Sequence, residues 1–272
     1  MPGAVVTGAG AGLGAEIVRR LARRGFTVHV TDIDGDAAAR TAADVAAGCY
    51  ATQLDVRDAE ATRAVAARTA EQDGLALWVN NAGVLRTGPL WQHSPDLWRE
   101  LLEVNALGTL HGMTAALEHM RPAQRGAIIN VASLASLTPV PGEAVYAATK
   151  HAVLGLSLST IADLRLAGER DISISCVCPD GMWTPMLYDK LDDPGAAMSF
   201  SGTLLQPEQV ADAVERLVDH PQPILSTPRW RGAIARVPSL LPRLSSGSLG
   251  VTHRLGQWQQ SRLRRAHARG KL

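Results

Sequence analysis

Lysine is almost missing from this chain. Of 27 basic residues only Lys150, Lys190 and Lys271 are lysine, so nearly every positive charge is an arginine. Tyrosine is as scarce at three residues, and phenylalanine scarcer at two. The three cysteines, Cys49, Cys176 and Cys178, are odd in number and lack CxxC spacing, which argues against a disulfide framework and a zinc site. Cys176 and Cys178 alternate along "DISISCVC" and are expected on one face of a buried strand as small hydrophobes. The eight histidines include no HExxH or similar ligand spacing, so no metal is expected. No run of about 18 apolar residues occurs, which excludes a membrane-spanning helix. The opening "MPGAVVTGAG" enters a strand at once and leaves no room for a signal peptide. Hydrophobic content of 46% with 19% charge fits a soluble globular chain with a sizeable core. A reducing, cytoplasmic setting is expected.

Acidic residues are missing altogether from Arg229 to Leu272, where ten Lys/Arg stand. The residues before Arg229 carry 17 basic against 26 acidic side chains, so the net charge of +1 hides an acidic body and a basic tail.

What is present is an alternation. Short β-branched runs at 3–7, 26–31, 49–54, 75–80, 126–132 and 171–178 read as strands. Helical patterns separate them at 12–24, 35–47, 58–73, 95–119 and 142–167. This order predicts an α/β fold: a single Rossmann-like domain with a doubly wound parallel sheet and helices on both faces. Residues 1–228 are assigned to it, including an irregular loop at 179–206 of the length that usually serves as a lid. Residues 229–272 form a basic C-terminal extension, expected to be helical.

"TGAGAGLGAEIV" follows the first strand and opens the first helix. Gly8, Gly12 and Gly14 allow a tight turn and bring helix N-terminal amides up to a pyrophosphate. Asp32 ends the second strand about 20 residues further on, where a carboxylate would meet adenosine ribose hydroxyls. A 2′-phosphate there would face like charge, at a cost of several kcal/mol even at an effective ε of about 20. No basic residue stands in the loop and Ile33 follows Asp32, so NAD rather than NADP is expected.

Tyr146 and Lys150 stand four apart in "AVYAATKHAV", on one face of a helix. A tyrosine ionises near pH 7 only with about 4 kcal/mol of help. A lysine ammonium about 4 Å away supplies that order at an effective ε of about 20. Its compact head can also bond a nicotinamide ribose, which explains a lysine in an arginine-rich chain.

With "LDV" (54–56), "NNAG" (80–83), "VNALG" (104–108), Ser133 and "YAATK" (146–150), the chain resembles the short-chain dehydrogenase/reductase family over about residues 3–220. The resemblance implies an oxidoreductase in which Tyr146 is the general acid/base, Ser133 steadies the substrate oxygen, and Lys150 lowers the tyrosine pKa and holds the ribose. Asn105 is implied to kink its helix and hold a water of a proton relay. Asp55 is implied to meet the adenine amino group, with Leu13 and Val56 beside it in the cofactor cleft. Asn81, Ala82 and Gly83 are implied on the adenosine side. Pro179, Gly181, Met182 and Thr184 are implied on the nicotinamide side. Two departures stand out. Asp180 occupies the place of a usual glycine, with Gly181 after it, and Ser136 replaces another. Two readings of Asp180 stay open: its charge stands near the nicotinamide and would favour the oxidised cofactor, or it points to solvent or caps the turn.

Leu85, Trp91, Leu134, Val140, Met182, Trp183, Met186, Leu187 and Phe200 are expected to wall an apolar cleft for a hydrophobic alcohol or ketone. The helices at 95–119 and 142–167 resemble those that pair subunits in the family, so a homotetramer or homodimer is expected. In the tail, Val251, Leu255 and Trp258 share one helical face. Three readings stay open: docking on the acidic body or a neighbouring subunit, an acidic protein or thioester partner, and an anionic membrane surface. Nucleic acid is not expected. The competing functional reading is a non-catalytic NAD-binding scaffold or sensor acting through this tail.

Overall fold

A computed structural model of the chain describes residues 1–45, 48–240 and 242–269. Seven parallel strands form one sheet in the order β3-β2-β1-β4-β5-β6-β7. They are β1 Gly3–Thr7, β2 Thr27–Asp32, β3 Cys49–Gln53, β4 Leu75–Asn80, β5 Gly126–Val131, β6 Ile172–Pro179 and β7 Ile224–Thr227. The first six match the expected runs. β7 was not anticipated: "ILST" is four residues long between Pro223 and Pro228, too short for a periodic signal.

The helices are α1 Gly12–Arg23, α2 Gly35–Asp44, α3 Ala59–Asp73, α4 Pro95–Leu101, α5 Gly108–Met120, α6 Ala144–Leu166, α7 Pro185–Tyr188, α8 Pro207–Asp219, α9 Arg229–Leu240 and α10 Pro242–His267. Residues 46 and 47, expected to extend α2, lie outside the described residues. The single helix expected over 95–119 is instead α4 and α5 joined by a π-helical turn, Leu102–Leu107.

Period-2 alternation sorts the strand side chains to two faces. Ala4 and Val6 of β1, with Leu77 and Val79 of β4, pack against Ile17 and Leu21 of α1 and Val210 and Val214 of α8. Val5 and Trp78 point the other way, into a layer with Val65 of α3, Met113 of α5 and Leu164 of α6. Burying each such aliphatic side chain stabilises the fold by about 1.5–3 kcal/mol. Cys176 and Cys178 do share one face of β6, fully buried beside Ala132, Leu134 and Val153.

A buried polar chain runs through the second layer. Trp78 Nε1 donates to Asn80 Oδ1 (2.7 Å), Asn80 Nδ2 to Asn130 Oδ1 (2.8 Å), and Asn130 Nδ2 to Ser157 Oγ (2.8 Å). It ties β4 and β5 to α6. Close approach of α5 depends on Gly112, where a Cβ would lie 2.0 Å from Asn80 Oδ1.

The strand order reverses between β1 and β4, and the crevice at the carboxyl ends of the strands opens there. α9 and α10 do not trail away from the domain. They pack over the far end of that crevice and against the 179–206 loop. Gln260 Nε2 donates to the carbonyls of Lys190 (2.8 Å) and Asp193 (2.7 Å), and Gln259 to that of Gly202 (3.0 Å). Gly256 seats on Ala197, leaving no room for a Cβ. Docking on the body, one of the homes expected for the tail, is observed.

Asn130→Ala should leave the Asn80 amide without its acceptor and open a small void. The expected cost is about 2–4 kcal/mol, read as a thermal midpoint several degrees below wild type. An unchanged midpoint would show that the chain of amides does not hold β4 and β5 to α6.

Candidate active site

Two adjoining clefts occupy the crevice. The first, of about 480 Å³, runs from Asp32 and Ile33 to Tyr146, Lys150 and Thr184. Gly8, Gly12, Leu13, Gly14, Asp55, Val56, Asn81, Ala82, Gly83 and Met182 also line it, as the sequence reading expected. Pro179 and Gly181 do not; they line the second cavity, of about 530 Å³. Tyr146, Met182, Thr184 and Met186 face both.

The glycine loop is built to admit an elongated anionic group at the start of α1. Gly8 and Gly12 adopt φ of 61° and 54°. A Cβ on Gly8 would lie 2.7 Å from Ala82 Cα, and one on Gly14 2.3 Å from Gly8 O. Asn81 Nδ2 donates to the carbonyls of Thr7 (2.9 Å) and Gly8 (2.8 Å), so it holds the loop against β4. Thr7 Oγ1, which the sequence reading did not single out, accepts from the N–H groups of Asn81 and Ala82. Asp32 Oδ2 accepts from Gly10 N (2.8 Å), which places the carboxylate at the mouth of the loop. Asp55 is paired with Arg57 (Nε to Oδ2, 2.9 Å), and that hydrogen bond holds its carboxyl below the usual range.

Asn105 sits in the π-helical turn and is fully buried. Its Oδ1 accepts from Val84 N (2.8 Å), and its Nδ2 donates to Val84 O (2.9 Å) and Thr149 Oγ1 (3.2 Å). The helix is interrupted here by the π-helical turn, and the side chain joins the loop after β4 to α6.

Tyr146 and Lys150 lie one turn apart near the start of α6, with Lys150 Nζ 5.7 Å from the Tyr146 ring centre. Lys150 is buried and donates to Val131 O (3.0 Å); burial pushes its pKa down to about 8. The expected lowering of the tyrosine pKa is not found in this arrangement. Burial raises it well above the usual phenol range and the Glu143 carboxylate adds to that, against one opposing hydrogen bond from Ser133. Desolvation of the phenolate outweighs a lysine whose ammonium is turned to a backbone carbonyl.

Glu143 is a site residue that the sequence reading missed. It holds the N-cap position of α6 but makes no side-chain cap. Instead its carboxyl, 1% exposed, turns into the second cavity and accepts from Ser199 Oγ (2.6 Å). Burial pushes its pKa up to about 7, with Asp193 adding to the rise and the Ser199 bond opposing it. In sequence it looks like an ordinary helix-start acid, and its partner is 56 residues away.

Leu85, Leu134, Val140, Met182, Met186 and Leu187 line the second cavity as expected. Three assigned aromatics do not. Trp91 is 85% exposed on the loop before α4, and Phe200 is fully buried among Leu187, Leu191 and Ala196. Trp183 is half-buried against the same cluster and packs on Tyr188 and on His267 of α10. The missing wall is supplied by α9 and α10, through Ile234, Val237 and Leu249.

Asp180 also departs from expectation. It does face this cavity, but Arg231 of α9 pairs with it (Nε to Oδ2, 2.7 Å), so its charge is matched before it can act on a ring. The demand for a glycine falls on Gly181, where a Cβ would lie 2.3 Å from Ser199 O. Ser136 is buried and not in the left-handed region, so its replacement of a glycine brings no backbone strain of that kind, although its buried hydroxyl finds no partner among the described residues.

Residues 3–195 match the family model described as short chain dehydrogenase. The chain belongs to the short-chain dehydrogenase family. It is 34% identical over 223 residues to a cyclopentanol dehydrogenase of Comamonas sp. (strain NCIMB 9872), covering 79% of this chain and 88% of that one. It is 35% identical over 184 residues to a 3-alpha-(or 20-beta)-hydroxysteroid dehydrogenase of Mycobacterium tuberculosis (strain ATCC 25618 / H37Rv), covering 67% and 70%. A short-chain dehydrogenase/reductase from Burkholderia phymatum, solved in complex with NAD, superposes with a TM-score of 0.81. That match has 28% identity over 90% of this chain and 95% of the other.

The buried Glu143 predicts a pH dependence. Its folded-state value of about 7 lies above the ordinary 4.5, so the folded chain holds this proton more tightly than the unfolded chain. Stability from the group is complete below about pH 4.5 and is lost as pH rises through about 7. Glu143→Gln removes the loss. Its stability relative to wild type should rise between about pH 5 and 8, by up to about 3 kcal/mol, in paired denaturant melts. A difference that stays constant across that interval would contradict the assignment.

Proposed function

We propose that the chain is an NAD-dependent dehydrogenase that interconverts a hydrophobic secondary alcohol and its ketone. The observation that carries this reading is the position of Tyr146, the one hydroxyl-bearing aromatic side chain facing both clefts among the described residues. The first cleft fits NAD: a glycine cradle at the start of α1, a carboxylate at the end of β2, and a lysine at the opposite end. When bound, NAD would supply the hydride acceptor and, in its oxidised form, a positive charge.

As the phenolate, Tyr146 takes the proton of the substrate hydroxyl during oxidation, while the hydride of the carbinol carbon would pass to NAD, and as the phenol it returns the proton during reduction. Ser133 donates to the same oxygen and steadies the charge that develops there. Lys150, one turn further along α6 with its ammonium 5.7 Å from the Tyr146 ring centre, would hold the nicotinamide ribose and keep a positive charge by the phenol. Asn105 positions both by holding Thr149, whose hydroxyl bonds Tyr146 O (2.7 Å). Asp32 accepts the adenosine ribose hydroxyls and disfavours a 2′-phosphate.

The second cavity takes the substrate. Its apolar walls suit a ring or chain alcohol, in keeping with the cyclopentanol and hydroxysteroid dehydrogenases among the relatives. Glu143 and Ser199 give it one polar position near Tyr146, suited to a second hydroxyl on the substrate. For assembly, Trp98, Leu102, Leu107 and Leu110 on the α4–α5 segment are exposed, as is Leu158 on α6. These faces support pairing with another copy, and a dimer or tetramer is expected in sedimentation at micromolar concentration; a monomer would contradict it.

The deciding assay is NADH formation across secondary alcohols, alicyclic alcohols, sterols and hydroxyacyl thioesters, with NADP compared throughout. Wild type should prefer NAD by at least about tenfold, and Asp32→Ala should narrow that gap by removing the like charge. Preference of the wild type for NADP would overturn the role of Asp32. No turnover of any alcohol or ketone by a protein that binds NAD would overturn the reading as a whole.

A further inference from the structure

α9 and α10 turn one face to the body and leave two apolar rows outside. On α10, Gly256, Gln260 and Leu263 face inward. Val251, Leu255 and Trp258, at i, i+4 and i+7, are 61%, 57% and 60% exposed. On α9, Trp230, Ile234 and Val237 repeat the same spacing and are also exposed. Large apolar side chains scattered singly over a surface are ordinary, but rows along two consecutive helices are not. Ile234 and Val237 line the second cavity as well, so this surface includes its rim.

Charge decides what this surface fits. Arg231 and Arg264 are matched by Asp180 and Asp192. Arg254, Arg262 and Arg265 are exposed on α10 and form no ion pair among the described residues. The Arg262 guanidinium lies 5.9 Å from the Trp258 ring, an aromatic capped by a cation. No acidic residue occurs after Arg229 to offset them. A second copy packed face to face on α10 would set arginine rows against each other. No described helix is long and apolar enough to cross a membrane, so a basic amphipathic surface of this kind lies on a bilayer and does not span one.

We propose that the outer face of α9 and α10 seats on an anionic lipid bilayer. Val251, Leu255 and Trp258 enter the acyl boundary, and Arg254, Arg262 and Arg265 sit among the headgroups. The seat holds the cavity rim at the lipid surface, where a hydrophobic alcohol of the kind proposed above concentrates, although lipid binding itself requires nothing of the reaction.

The test is flotation of the full-length protein with vesicles of equimolar phosphatidylglycerol and phosphatidylcholine, against phosphatidylcholine alone. Partition onto the anionic vesicles should be at least about tenfold greater, and should weaken severalfold as salt is raised. Leu255→Glu with Trp258→Glu should remove most of it. Arg262→Gln with Arg265→Gln should weaken it severalfold while far-ultraviolet circular dichroism and NAD affinity stay as in wild type. Sedimentation without lipid should give the same mass for all three proteins. Equal binding to neutral vesicles, binding to neither, or binding untouched by both double replacements would overturn the proposal. A smaller assembly for the Leu255/Trp258 variant would do so too, by assigning the face to another copy of the chain.

Discussion

The site rests on one buried amide. Asn105 has no exposed surface, so its donors and acceptor must be satisfied inside the protein. It meets that demand by gripping both backbone groups of Val84 and the hydroxyl of Thr149. Each bond left unmade there would cost about 1–3 kcal/mol. Asn105 makes these bonds from within the π-turn, and Gly83 lies close beside it, where a Cβ would sit 3.3 Å from Asn105 Oδ1, a tight contact. The loop after β4 and the start of α6 are thereby fixed to each other. Tyr146 and Lys150 stand on either side of Thr149 in sequence, so that bond helps to set Tyr146 at the junction of the two clefts and Lys150 in the first.

Around this frame the ionisable groups are arranged to leave little net charge. Arg231 matches Asp180, Arg57 matches Asp55, and burial brings Glu143 to about 7. The same low polarity raises the Tyr146 phenol and brings Lys150 down to about 8. An uncharged alcohol enters such a cavity without an ionic partner to satisfy. On the proposed mechanism the phenol would need nearby positive charge to act as base, the part proposed for Lys150 and an oxidised nicotinamide.

The parts of this arrangement that were legible in sequence are those written in local patterns. Gly8, Gly12 and Gly14 follow a strand and open a helix, Asp32 closes the next strand, and Tyr146 and Lys150 share a helix face. What was not legible depends on long-range partners. Whether Trp183 and Phe200 turn to the cavity or away was settled by α10 and the small core under the loop, not by their own neighbours in sequence. The tail's charge was plain, but its role as a wall of the cavity follows from close packing at Gly256 and from Gln259 and Gln260, residues with no distinguishing pattern. Asp180 read as a free charge because Arg231 stands 51 residues later. Glu143 was passed over because an acid at a helix start is ordinary until its side chain is seen to turn away from the helix.

The central claim is that Tyr146 moves the substrate proton, and single-turnover hydride transfer in Tyr146→Phe tests it most directly, with NAD affinity measured on the same protein. The account predicts a rate lower by at least about a hundredfold, the usual contribution of a general acid/base, with the NAD dissociation constant within about twofold of wild type. A rate within about tenfold of wild type at unchanged NAD affinity would contradict it.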